Sequence, residues 1–134
     1  MIKKIIFYWL PVILWMALIY FLSSFHKLQA SSVGWQDFVV RKTAHFLEYA
    51  ILFVLNNHAL QRTTLLDNKK RLLLSFFLTV FYALTDEFHQ TKVSGRTGKP
   101  LDIGIDGLGA IGGLLFVLKF VRLLPERIKR LLTF

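Results

Sequence analysis

Four apolar runs separated by short polar segments set the pattern of the chain, and they fall at about 5–22, 43–60, 72–88 and 101–124. A helix of 18 residues rising 1.5 Å per residue covers about 27 Å, close to the roughly 30 Å hydrocarbon core of a bilayer. The runs therefore predict four membrane-crossing helices at those positions. Between them lie polar connectors at 23–41, 61–71 and 91–100, the last rich in turn residues through Gly95, Gly98 and Pro100. Pro11 sits inside the first run, where a membrane helix tolerates the lost backbone donor with a kink. Lys3 and Lys4 precede this run as they would a signal peptide. The run is longer than a secretory apolar region and no small-x-small cleavage site follows, so an uncleaved first helix is expected. The pattern is that of one all-α domain spanning 1–134, an integral membrane four-helix bundle.

Composition agrees. Of 134 residues, 54% are hydrophobic, more than a water-soluble core of this size requires. The net charge of +9 would suit nucleic acid, but the basic residues clump between apolar runs and do not line a helix face, so nucleic acid is not an expected partner. Cysteine is absent, which excludes disulfides, thiolate metal sites and a cysteine nucleophile.

The basic residues also assign orientation. Lys3, Lys4, Arg62, Lys69, Lys70, Arg71, Lys119, Arg122, Arg127, Lys129 and Arg130 fall on one side, against Lys27, Arg41, Lys42, Lys92, Arg96 and Lys99 on the other. Cytoplasmic loops retain positive charge, so both termini are expected in the cytoplasm, with the first and third connectors outside. After Pro125 the tail ERIKRLLTF alternates apolar and basic residues and is expected to lie along the inner surface. Trp9, Trp15 and Trp35, with Phe25 and Phe38, are expected at the bilayer boundary. His26 and His58 are read as solvated or interfacial, and Asn56 and Asn57 as bonding across helices.

Ionisable residues inside apolar spans cost several kcal/mol each and so require a partner, a wet cavity or a function. In the second run Arg41, Lys42, His45, Glu48 and Tyr49 share an arc of about 120° at 100° per residue. In the third, Tyr82, Asp86, His89 and Gln90 share about 100°, with Glu87 just beyond. In the fourth, Asp102, Asp106, Gly109 and Gly113 form a narrower stripe, and the last two make a GxxxG pair that admits a neighbouring helix. With the expected topology, all three stripes come to the outer half of the bundle and form one pocket.

The segments RKTAHFLEYAIL, YALTDEFHQ, VSGR and LDIGIDGLGAIGG, in this order and at these spacings, resemble the VanZ-like family, small bacterial membrane proteins named for a member associated with teicoplanin resistance. The resemblance runs from Lys42 to Gly113. Carried over position by position, the family's polar residues fall on Lys42, His45 and Tyr49, on Asp86, Glu87 and Gln90, on Arg96, and on Asp102 and Asp106, followed by Gly109 and Gly113. Ser94 stands where a proline often precedes the Gly-Arg pair, and Asp106 where other members often carry asparagine. The resemblance implies a place in the bacterial plasma membrane, a role in the cell envelope and a link to glycopeptide resistance, without a settled biochemical activity.

Asp86, Glu87, Asp102 and Asp106 cannot all stay ionised in a desolvated pocket without counter-charge. Lys42, Arg96 and His45, shared protons, or a divalent metal held among His45, Asp86, Asp102 and Asp106 are the candidates. No tight metal motif such as HExxH is present. The leading expectation is an outward-facing enzyme that hydrolyses or transfers a group on a lipid-linked envelope component. His45, Asp86, Glu87 and Asp106 would do the chemistry, and Lys42, Tyr49, Gln90, Arg96 and Asp102 would bind substrate. The alternatives are a binder of a lipid head group or amphiphilic drug such as a lipoglycopeptide, a small proton-coupled carrier, and a structural knot of salt bridges.

Overall fold

The computed structural model of the chain describes residues 2–25, 34–93 and 100–120. Four helices form an antiparallel up-and-down bundle: α1 (Ile2–Ser23), α2 (Gly34–Thr63), α3 (Asn68–Gln90) and α4 (Pro100–Leu115), with a π-helical turn, Phe116–Phe120, continuing α4. No strand occurs among the described residues. The fourth run was expected to extend to 124, but residues 121–134, including the amphipathic tail, lie outside the described set.

Two boundaries differ from expectation. α2 starts at Gly34 and not near 43, so much of the expected first connector is helical. Its first turns hold themselves: Asp37 sits where a helix N-terminus favours negative charge, and Arg41 pairs with it at 2.9 Å across i,i+4. The expected 61–71 connector shrinks to four residues, because α2 runs to Thr63 and Asp67 caps α3 by accepting from the Lys70 amide at 2.9 Å. α1 runs unbroken through Pro11.

α1, α3 and α4 with its π turn are each long and apolar enough to cross a membrane. α2 has the length, with 30 residues, but carries Arg41, Lys42, His45, Glu48, Asn56, Asn57 and His58. It is the hub, packed on all three other helices and most extensively on α4. Tyr49, Leu52, Phe53, Ala59 and Leu60 are buried there together with Asn56 and Asn57.

The polarity of α3 is turned inside out. Leu73, Phe77, Phe81, Leu84 and Phe88 face outward, while Ser75, Thr79, Ala83, Asp86 and Gln90 face in. Hydrocarbon is an acceptable solvent for the first set and a prohibitive one for the second, so the arrangement suits a bilayer and not water. Inside, Asn56 donates to Thr79 Oγ1 at 3.2 Å and Asn57 accepts from Arg71 Nε at 3.1 Å, the cross-helix bonds expected of this pair.

α1 docks through its indoles. Trp9 Nε1 donates to Thr63 Oγ1 at 3.1 Å, Trp15 Nε1 to the Glu48 carbonyl at 2.9 Å, and Tyr82 Oη to the Met16 carbonyl at 2.6 Å. Trp9 and Trp15 are half-buried and tie α1 to α2 through these indole N–H groups. Trp35, 68% exposed, stays at the surface. His58 lies edge-on to the Tyr8 ring at 5.6 Å.

Candidate functional site

α2 and α4 both start at the same end of the bundle and run parallel, which converts two sequence stripes into rungs. Gly109 and Gly113 set the spacing. A Cβ on Gly109 would collide with the Phe46 carbonyl oxygen, and one on Gly113 would lie 2.5 Å from that of Ala50, so only glycine lets the two backbones touch here. One and two turns nearer the helix starts, this close register places Asp106 opposite His45 and Asp102 opposite Lys42.

The resulting contacts are specific. Lys42 Nζ pairs with Asp102 Oδ1, which also lies in the first turn of α4, where the helix dipole favours a carboxylate. His45 Nδ1 lies 3.0 Å from Asp106 Oδ1, and Asp106 is only 1% exposed. The antiparallel α3 closes the other side: Asp86, 3% exposed, accepts from Tyr49 Oη at 3.2 Å and from Gln90 Nε2 at 2.8 Å, both on its Oδ2. Tyr49 joins the two sides, since it stands one turn along α2 from His45 and its hydroxyl reaches Asp86. Glu87 is buried beside Asp86.

Of the residues singled out in the sequence, Lys42, His45, Tyr49, Asp86, Gln90, Asp102 and Asp106 thus come together at one end of the bundle, with Gly109 and Gly113 directly below. Lys42 is engaged by Asp102, so it is not a spare cation. Arg96 lies outside the described residues. Among the described residues no three His, Asp or Glu side chains are grouped to hold a metal ion. The four metal candidates are instead drawn into separate bonds, His45 with Asp106, Asp102 with Lys42, and Asp86 with Tyr49 and Gln90.

Asp86 Oδ1 and Asp106 Oδ2 are buried and have no hydrogen-bond partner among the described residues. A buried acceptor left unbonded costs about 1–3 kcal/mol, more when charged, so each such oxygen calls for a bound water, an ion or a functional role to account for it.

Some participants were not legible as site residues. His89 shares the polar stripe of α3, yet its Nε2 lies 3.0 Å from Ser24 Oγ and its ring stacks 4.2 Å from Tyr20, tying α3 to α1 at the rim of the cluster. Asp37, buried beneath Arg41, also belongs to this end of the bundle. Its only sequence signal was the i,i+4 spacing to Arg41.

Chemically, the His–Asp rung is the most informative element. An aspartate that accepts from Nδ1–H fixes the imidazole's tautomer and leaves Nε2 as the ring nitrogen able to take or give a proton. No curated protein and no solved structure matches the chain. The model of the VanZ/LLP1 family matches residues 7–122. With that match spanning most of the chain, and with apolar helices enclosing the polar cluster, the chain belongs to the VanZ-like family of membrane proteins.

Proposed function

We propose that this protein is a multi-pass enzyme of the bacterial plasma membrane that acts on a lipid-linked component of the cell envelope, by hydrolysis or group transfer at a phosphate or ester. Its polar cluster faces outward and both termini are cytoplasmic. The observation that carries the reading is the His45–Asp106 rung, a histidine oriented by a buried carboxylate inside a membrane bundle.

In this mechanism His45 Nε2 takes the proton from a water or an acceptor hydroxyl as its oxygen attacks the phosphorus or acyl carbon. The bond to the leaving oxygen then breaks, and that oxygen receives the proton back from His45. Asp106 holds the ring and stabilises the imidazolium formed in between. Asp86 and Glu87 orient the attacking hydroxyl, with Tyr49 and Gln90 fixing Asp86, while Lys42 and Asp102 shape the mouth that receives the head group. The family's link to teicoplanin resistance fits an activity that alters an envelope component near the drug's site of action.

The test is turnover in a defined bilayer. Purified protein in nanodiscs is given a polyprenyl-diphosphate-linked sugar and a phosphatidylglycerol, and products are followed by mass spectrometry. Wild type is expected to consume one of them, with His45→Asn and Asp106→Asn slower by about 10²–10⁴-fold. In a bacterial host, loss of teicoplanin tolerance in the same variants would connect the chemistry to resistance. A second reading is favoured by the bare oxygens of Asp86 and Asp106. They suit a non-catalytic binder of a donor-bearing head group or amphiphilic drug, or a proton-coupled carrier. Saturable binding without turnover, or proton-driven uptake into vesicles, would establish that reading and end the enzymatic one.

A further inference from the structure

α1 and α3 leave an apolar cavity of about 390 Å³ between them. Trp9, Ile13 and Met16 on one wall face Leu78, Phe81 and Tyr82 on the other. Its size lies in the range of small-molecule sites, about 300–1,000 Å³. The two helices are both apolar and long enough to cross a membrane, and the rim residues Ile13 and Phe81 are 58% and 67% exposed, so the open side of the cavity faces the bilayer interior. Water cannot satisfy such a space at that depth and hydrocarbon can. Asn56 touches the floor, but its amide already donates to Thr79.

The upper end of the cavity is lined by residues next to the polar cluster. Thr85, at its upper end, immediately precedes Asp86. The wall residue Tyr82 has its ring 6.5 Å from that of Tyr49, whose hydroxyl donates to Asp86. From Leu78 to Thr85 the helix rises about 10 Å, so a chain lying along the cavity ends at the level of the His45–Asp106 and Asp86 groups. We infer that this groove holds one hydrocarbon tail of a membrane lipid and presents its head group sideways, from the bilayer, to the polar cluster. The inference rests on the reading above for the lipid's being the substrate, whereas occupancy of the groove is measured without turnover.

Trp9 lines the groove and is held in place by its bond to Thr63, which makes it a built-in reporter. The experiment uses phosphatidylcholine nanodiscs carrying a rising share of phosphatidylglycerol with brominated acyl chains, which quench indole fluorescence on contact. Two forms of the full chain are compared, one keeping only Trp9 (W15F with W35F) and one keeping only Trp35 (W9F with W15F), both checked for native helix content. Trp9 quenching is expected to saturate at a low brominated share, while Trp35 quenching rises in proportion to it. Adding Ile13→Phe, which fills the groove from its exposed rim, is expected to abolish the saturating component. In the unmodified chain, native mass spectrometry is expected to find a retained phosphatidylglycerol that Ile13→Phe loses. Proportional quenching at Trp9, or lipid retention unaffected by Ile13→Phe, overturns the inference. His45→Asn is expected to leave the quenching curve unchanged, so a saturable curve without turnover keeps the tail site and removes only the catalytic reading.

Discussion

His45 on α2 and Asp106 on α4 meet at 3.0 Å although 61 residues separate them, and the carboxylate is sealed from the surface. Replacing Asp106 with alanine strands the histidine and removes one member of a buried pair, a change that costs about 3–5 kcal/mol. Asparagine keeps an oxygen for Nδ1–H and is expected to cost less than half of that while still slowing turnover by about 10²–10⁴-fold. Thermal unfolding in detergent beside the turnover assay checks both. Equal unfolding of the two variants would show that the charge, and not the hydrogen bond, holds the helices.

Four glycines of α4 divide into two groups with opposite expected signs. Gly109→Ala and Gly113→Ala drive a methyl into the backbone of α2 and are expected to lower the melting temperature sharply. At Gly104 and Gly107 an added Cβ would meet nothing within 4 Å, so alanine there removes only the flexibility of glycine and is expected to stabilise by up to about 1 kcal/mol. Four single variants in one thermal assay suffice. A tolerated Gly109→Ala would contradict the close α2–α4 approach.

Trp15→Phe deletes the indole bond to the Glu48 carbonyl while keeping most of the packing, for an expected loss of about 0.5–1.5 kcal/mol. Trp35→Phe, at an exposed position, is expected to be neutral in the same measurement.

The chain has no cysteine, so its topology can be read with single introduced thiols. Cysteines at Ser24 and Thr91, at the end of the bundle that carries the polar cluster, are expected to react with a membrane-impermeant maleimide on intact cells. One at Asn68 is expected to react only after permeabilisation. The reverse pattern would turn the cluster toward the cytosol and rule out the proposed envelope substrate.

Much of this was legible in the sequence because the relevant signals are local. The spacing of Lys42, His45 and Tyr49, or of Asp102, Asp106, Gly109 and Gly113, fixes which side chains share a face of their own helix, whatever that helix packs against. The start of α2 was not legible, because Arg41 and Lys42 interrupt the hydropathy where the Asp37–Arg41 pair in fact continues the helix. Nor were the inward roles of Trp9 and Trp15, since an indole's place depends on where the nearest acceptor on another helix falls.

By itself, then, the order of residues determined the helices, their polar stripes and the family to which they belong, since periodicity acts over a few turns of one chain segment. Only the packed bundle decided that Lys42 answers Asp102, that His45 answers Asp106 and that Tyr49 answers Asp86. Those partnerships depend on how far one helix slides along another, and that distance is set where Gly109 and Gly113 let α4 rest on the backbone of α2.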